Sequence, residues 1–292
     1  MIVPFLPGGG IDLAARIVGQ KLGDILGQQI AIENRGGASG TIGAEAAARA
    51  APDGYTIVFT DSDLVTIPSL LPRMNFDPDK DLLPITMVTS NPLIIVASAS
   101  APFSNVKELL DAAKTSPTAL AYGTPGTATI NRVVGEWIAV AAHIKLLNIP
   151  YMGGSELANA IAADEVPLGI VSPAAVYPGL VDAGKIKVIA QTGTQRASFL
   201  PSSWPTLAES ALPINATLWL GLFAPAGTPD AIVSRLDQAM GQILQDDFVR
   251  KRMNNFGIGP EHIAKAAFAE RIRADRTRYE EIIRQTGVRI EQ

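Results

Sequence analysis

The residues with the types and spacing for chemistry begin at a glycine turn, Gly8-Gly9-Gly10, and the acid that follows it, Asp12. Glycines let the backbone turn tightly, so that N–H groups at a helix start face a ligand's negative oxygens without any side-chain charge. Asp12 suits the N-cap or first turn of that helix, and Leu13, Ile17, Leu22, Ile25 and Leu26 recur at helical spacing before Gly27, its stop. Three further loops share this character: Asp61-Ser62-Asp63, Gly126-Thr127-Ala128-Thr129 and Met152-Gly153-Gly154-Ser155, with Ser172-Pro173 as a fifth. They are built from glycines and small hydroxyls and hold no Lys, Arg, His or Cys, so they offer no nucleophile with its base and no phosphate-binding lysine. That composition suits binding of an anion rather than catalysis.

A dinucleotide fingerprint fails on spacing. A GxGxxG motif anchored at Gly8 requires glycine or alanine where Leu13 stands, and the Gly-Lys-Ser/Thr of a P-loop occurs nowhere. With no cysteine and two histidines, His143 and His262, far apart in sequence, thiol chemistry and a metal centre are not expected, and neither is a cofactor. A net charge of −4 supplies no basic surface for nucleic acid. Several polar residues also have structural readings. Asp12 serves as a helix cap, Arg16 as the partner of a loop carboxylate or carbonyl, and Thr127 and Thr129 as caps of the next helix. Trp137 and Trp219 read as core, and the charges from Arg271 to Arg284 as a solvated helix face.

The elements that must position these loops follow from periodicity. At 292 residues, 47% hydrophobic and 18% charged, the chain can bury the cores of two domains. No apolar run is long enough to span a membrane. The first helix is followed by a short strand over Gln29–Ile32, an Ala-rich helix over Thr41–Ala50, and buried strands over Tyr55–Thr60 and Leu93–Ala97. From Ala101 the rhythm restarts, with a helix at Val106–Lys114 and a strand at Ala119–Tyr122. A helix at Ile130–Ala142 and strands at Leu146–Tyr151, Val166–Val171 and Lys187–Gln191 complete that block. Ser155 is expected as an N-cap and a helix near Ala174. Thr217–Pro225 reads as a long strand, and the remainder as helical apart from a strand signal at Val288–Ile290. Alternating strands and helices predict an α/β fold with mostly parallel sheets flanked by helices. A discontinuous first domain, residues 1–101 with 224–292, and a second, 102–223, leave a ligand cleft at the carboxyl ends of their strands. The first predicted strand starts almost at Met1, which suggests a leader removed or a start assigned downstream.

The pattern Val3-Pro4-Phe5-x-Pro7-Gly8-Gly9-x-x-Asp12-x-x-Ala15-Arg16 resembles the start of substrate-binding proteins of tripartite tricarboxylate transporters, the Bordetella uptake gene family. Further matches are Glu33-Asn34-Arg35-Gly36-Gly37-Ala38-x-Gly40, Pro52-Asp53-Gly54-Tyr55-Thr56, Ile149-Pro150-Tyr151-x-Gly153 and Gly221-Leu222-x-Ala224-Pro225-x-Gly227-Thr228-Pro229, in the same order along nearly the whole chain. The resemblance implies a periplasmic, two-lobed Venus-flytrap binding protein. It would be a monomer that captures a small carboxylate by domain closure and delivers it to the permease subunits of a membrane transporter. A co-sensor reporting the same ligand to a membrane sensor kinase is the alternative. By the same resemblance, Phe5, Gly9, Gly10, Ile11 and Asp12 would face Thr127, Ala128 and Thr129, holding carboxylate oxygens through backbone amides, hydroxyls and waters. Ser62, Asp63, Gly126, Gly153 and Ser172 complete the expected site. This chain departs from the family pattern in having Thr127, Thr129, Asn131 and Arg132 where Ser and His are common, Asp61 and Asp63 around Ser62, and Ser172 in place of a frequent aspartate. An Asp63 turned toward the ligand would favour an amine, amide or hydroxyl over a second carboxylate.

Overall fold

The computed structural model describes residues 1–71 and 73–290. In chain order the elements are β1 (Ile2–Val3), α1 (Gly10–Leu26), β2 (Glu33–Asn34), α2 (Thr41–Ala48), β3 (Val58–Asp61), α3 (Asp63–Leu70), α4 (Pro78–Asp81), β4 (Leu82–Pro92) and β5 (Ile94–Ser98). There follow α5 (Val106–Thr115), β6 (Leu120–Thr124), α6 (Ile130–Ala142), β7 (Leu146–Pro150), α7 (Gly154–Ala162), β8 (Leu168–Val171), α8 (Gly179–Asp182) and β9 (Ile186–Gln191). The chain ends with β10 (Thr217–Pro225), α9 (Asp230–Ile243), α10 (Asp247–Asn254), β11 (Pro260–Ala264) and α11 (Lys265–Thr286). Two compact units result: Met1–Ser90 with Trp219–Glu280, and Asn91–Leu218 with the residues from Glu281 onward.

The first unit holds a sheet of order β11-β4-β10-β3-β1-β2, and the second a sheet of order β7-β6-β8-β5-β9. Both are mixed rather than mostly parallel. Strands built by βα crossovers are parallel: β2-β1-β3 in the first sheet and β7-β6-β8 in the second. Strand β10 instead runs antiparallel to β3, with Leu220 opposite Asp61, and β5 runs antiparallel to both β8 and β9. A strand that enters a sheet without a crossover helix is under no constraint to be parallel. Strand β5, expected in the first sheet, accordingly lies in the second.

Other local expectations give way for identifiable reasons. The strand expected at Gln29–Ile32 is found at Glu33–Asn34, because the two residues of β1 pair there, Ile2 with Glu33 and Val3 with Asn34. The eleven residues of β4 escape the sequence pattern because Pro84 reads as a breaker, yet its ladder with β11 begins only at Thr86. No strand forms at Val288–Ile290, and the segment after Ser172 is a 3-10 turn, Pro173–Ala175.

In the first unit β10 supplies the core. Trp219 is fully buried and takes the Phe268 ring edge-on at 5.1 Å, with Phe223 also stacked against Phe268 at 5.4 Å. Gly221 lies beneath that ring, where a Cβ would stand 2.4 Å from Phe268 Cζ, so only glycine fits. Trp219 Nε1 donates to Asp275 Oδ2 at 2.9 Å, and Arg271 Nε donates to the same oxygen at 2.7 Å. The charged stretch of α11 is therefore not wholly a solvated face, since Asp275 is buried. The second unit packs Ile94, Val96 and Val171 of its sheet against Leu157 and Ile161 of α7, with Trp204 meeting Tyr177 edge-on at 5.4 Å.

Candidate functional site

In the first unit the parallel triplet β2-β1-β3 sends three loops from one edge, its carboxyl edge, where open α/β sheets bind ligands. The loop after β1 contains Phe5 and the glycine turn, and Gly8 adopts φ 86°, the left-handed region that glycine tolerates. Gly9 is the N-cap of α1, extended at φ −81° and ψ 170°, and no side chain caps the helix. The first-turn N–H groups of Gly10, Ile11 and Asp12 therefore have no intrahelical acceptor, and the helix dipole adds a partial positive charge at the same point.

Asp12 is what holds the turn in place. It sits in the first turn with its side chain 5% exposed, and Oδ2 accepts the Gly8 N–H at 3.0 Å and the Arg16 Nε–H at 2.9 Å. Asn34, at the end of β2, donates to Asp12 Oδ1 at 2.9 Å and to the Phe5 carbonyl at 3.1 Å. Burial acts most strongly to raise the Asp12 pKa. The hydrogen bonds from Arg16, Gly8 and Asn34 and the Arg16 charge outweigh it and hold the carboxyl below its ordinary range. The Asp12 side chain is thus directed to its own loop, whereas Phe5, Gly9, Gly10 and Ile11 remain half-exposed.

The loop after β3 brings Asp61, Ser62 and Asp63 to the same edge, all three buried. Asp63 N–H donates to Asp61 Oδ1 at 3.1 Å. Burial pushes the Asp61 carboxyl up to about 7, against the opposing hydrogen bonds from the Asp63 and Asp61 N–H groups. Ser62 stands at the N-cap of α3 but its hydroxyl does not cap the helix.

The second unit repeats the layout. Its triplet β7-β6-β8, with the earliest strand again in the middle, sends the loops of Gly126–Thr129, Met152–Gly154 and Ser172 from one edge. Thr124 Oγ1 donates to the Gly126 carbonyl at 2.9 Å, and Asn148 Nδ2 donates to Thr124 Oγ1 at 2.9 Å. Thr129 is the N-cap of α6, its Oγ1 accepting the Arg132 N–H at 3.4 Å. Thr127 is exposed, Ala128 and Thr129 are buried, and Gly126, Gly153 and Ser172 are half-exposed. Arg132, one of the residues at which this chain departs from the family pattern, lies in the first turn of α6, and its guanidinium reaches back to the Thr127 carbonyl at 3.3 Å and to the Arg289 carbonyl at 3.0 Å.

The two glycine turns share one locking device. Gly153 is the N-cap of α7 with no side-chain cap, and Glu156 Oε2 accepts the Met152 N–H at 2.6 Å. Asp12 stands to Gly8 and Gly9 as Glu156 stands to Met152 and Gly153. In each case a carboxylate three residues after an uncapped N-cap glycine fixes the amide just before it. Ser155, expected as the N-cap, falls inside α7 instead, because Gly153 and Glu156 already define the helix start. Glu156 is the positioning residue that the sequence reading missed, and its signal is the Gly-Gly-x-acid spacing shared with Gly9-Gly10-x-Asp12.

Comparison with known proteins bears on what this arrangement holds. The family profile described as tripartite tricarboxylate transporter family receptor, TctC, matches residues 14–288. The periplasmic binding protein BugD is 30% identical in a structural alignment covering 99% of this chain and 98% of that one, with a TM-score of 0.91. Rpa4515 of R. palustris, solved with adipate, is 28% identical over 99% of this chain and 97% of its own, at a TM-score of 0.94. MatC from Rhodopseudomonas palustris, solved with bound malate, is 27% identical over 97% of each chain, at a TM-score of 0.89. The fold is that of the periplasmic binding proteins, two α/β units each carrying one mixed sheet flanked by helices.

Proposed function

The chain belongs to the tripartite tricarboxylate transporter receptor family, and we propose that it is a periplasmic receptor that captures a small carboxylate and presents it to the permease of a tripartite transporter. The family is one of solute receptors, and the sparsely charged, glycine-rich loops of this chain fit that role better than bond-breaking chemistry. Adipate and malate in two structural neighbours support a carboxylate as the ligand class.

One observation carries the reading. The start of α1 has no side-chain cap, and the carboxylate that would compete with a bound anion is turned away onto Gly8, Arg16 and Asn34. The N–H groups of Gly9, Gly10 and Ile11 are assigned to one ligand carboxylate, with Phe5 beside them; Asp12 is their support. Gly126, Thr127, Ala128, Thr129, Gly153 and Ser172 are assigned to the rest of the hold on the ligand, completed by domain closure. Ser62 and Asp63 are assigned to the choice of its tail. A thermal-shift screen of mono- and dicarboxylates, amino acids and aromatic acids tests this, because a ligand at 100 times its Kd adds about 2.7 kcal/mol of stability. Stabilisation by one or more carboxylates, confirmed by calorimetry, is expected; a screen in which none stabilises the protein rejects the proposal.

A further inference from the structure

The loop after β3 contains one buried polar group without a partner among the described residues and, beside it, a buried carboxyl without a cation. The Ser62 hydroxyl is completely buried and, among the described residues, has no hydrogen-bond partner. Serine is among the best N-cap residues, yet here, at the start of the eight-residue helix α3, its hydroxyl accepts nothing from the helix. A buried hydroxyl without a partner keeps its full desolvation penalty, so native proteins keep few of them, and those few call for an explanation such as a ligand. Its neighbour Asp61 accepts only N–H groups, and among the described residues no Lys, Arg or His pairs with it. The guanidinium of Arg276, on α11, reaches the start of α3, where it donates to the Leu64 carbonyl at 3.4 Å, and it pairs with Asp79 at 2.8 Å. Both residues lie at the carboxyl end of β3, the strand next to β1, from which the Gly8–Gly10 turn departs.

We propose that Asp61 and Ser62 form a tail subsite that selects carboxylates whose second polar group is a hydrogen-bond donor, an amine or a hydroxyl, over dicarboxylates. The inference rests on the carboxylate-receptor reading and deepens its assignment of the tail to this loop, adding Asp61 beside Ser62 and naming the tail chemistry they select. A donor on the tail gives Asp61 a further donor beyond the N–H groups it accepts, and a cation where the tail is an amine, and it offers Ser62 a group to bond. A second carboxylate in the same place can be met by the Ser62 hydroxyl, and by Asp61 only at the cost of keeping that acid protonated; it faces Asp61 as a like charge whenever Asp61 is ionised. The burial that raises the Asp61 pKa to about 7 agrees with a carboxyl lacking a cation.

Calorimetry with matched ligand sets tests the subsite: butyrate, γ-hydroxybutyrate, γ-aminobutyrate and succinate, and separately hexanoate, ε-aminohexanoate and adipate. In at least one set the donor-tailed acid is expected to bind about tenfold or more tighter than the dicarboxylate, a difference of about 1.4 kcal/mol. Asp61→Asn should collapse that ratio while carboxylate binding persists, and Ser62→Ala should reduce it without altering the fold. A wild-type protein that binds the dicarboxylate as tightly as the donor-tailed acid in both sets, or a ratio unchanged in both variants, overturns the subsite. Binding of no carboxylate at all, in these sets or in the wider screen, would instead overturn the receptor reading and the subsite with it.

Discussion

Asn34 Nδ2 lies 2.9 Å from Asp12 Oδ1, so the carboxylate that fixes Gly8 is itself fastened to the end of the neighbouring strand β2. The same amide bonds the Phe5 carbonyl, which makes Asn34 the link between two parallel strands and the glycine turn. Asn34→Ala would leave a buried oxygen of Asp12 without its donor, at a cost of about 1–3 kcal/mol. Urea denaturation should register that loss, and ligand affinity should fall with it because the turn is no longer held. Equal stability of the variant and the wild type would refute the linkage.

Gly10→Pro separates the amide from the fold. Gly10 is the first helical residue, a position where proline is favoured, and Gly9 before it already has the extended conformation that proline demands. The variant should unfold at an unchanged urea midpoint and lose one of the N–H groups proposed to hold the ligand. A hydrogen bond to a charged group contributes about 1.5–3 kcal/mol, so calorimetry should show affinity falling roughly tenfold to a hundredfold. Unaltered affinity would remove the α1 amides from the site.

Elements with one dominant signal were legible in the sequence: α6 at Ile130–Ala142 and β10 at Thr217–Pro225 have the bounds that periodicity predicts. The misses arise where a partner decides. Ile32 looks like a strand residue because it is apolar, but it packs near Gly19 of α1, its Cδ1 3.2 Å from where a Cβ would stand, and the pairing falls to polar Glu33 and Asn34. At the site, the glycine turns could be read from composition alone. The lock formed by Glu156 could not, because a carboxylate three residues into a helix looks like any solvated first-turn acid until its amide partner is seen. Likewise nothing local marks Asp275 as buried, since its partner Trp219 lies 56 residues away in sequence.

Asp61 makes a prediction about pH. Its folded pKa, raised to about 7 by burial, exceeds the unfolded value of about 3.9, so between these limits the native state holds more protons than the unfolded chain. Stability contributed by this group is therefore fully present below about pH 4 and is lost as pH rises toward about 7. At about 1.36 kcal/mol per pH unit the effect reaches a few kcal/mol. Asp61→Asn cannot titrate, and its unfolding free energy should gain on that of the wild type steadily from pH 4 to pH 7. Parallel pH profiles for the two proteins would mean that burial does not raise the Asp61 carboxyl.

The Trp219–Asp275 bond yields a test of the first unit's core that is independent of ligand. Asp275 Oδ2 accepts from both the indole N–H at 2.9 Å and the Arg271 guanidinium at 2.7 Å, in a site where the aspartate is buried. Asp275→Ala would strand a buried indole N–H and leave Arg271, whose side chain is 31% exposed, without this acceptor. Removing one partner of a buried pair typically costs about 3–5 kcal/mol. Because Arg271 can turn toward water, the lower end of that range is expected. Asp275→Asn keeps an oxygen for the indole and gives up the charge, so it should recover about half of the loss. Trp219→Phe combined with Asp275→Ala should cost less than the sum of the single changes, because the alanine no longer strands an N–H. Additive free energies in this double-mutant cycle would show that the two side chains are stabilised independently.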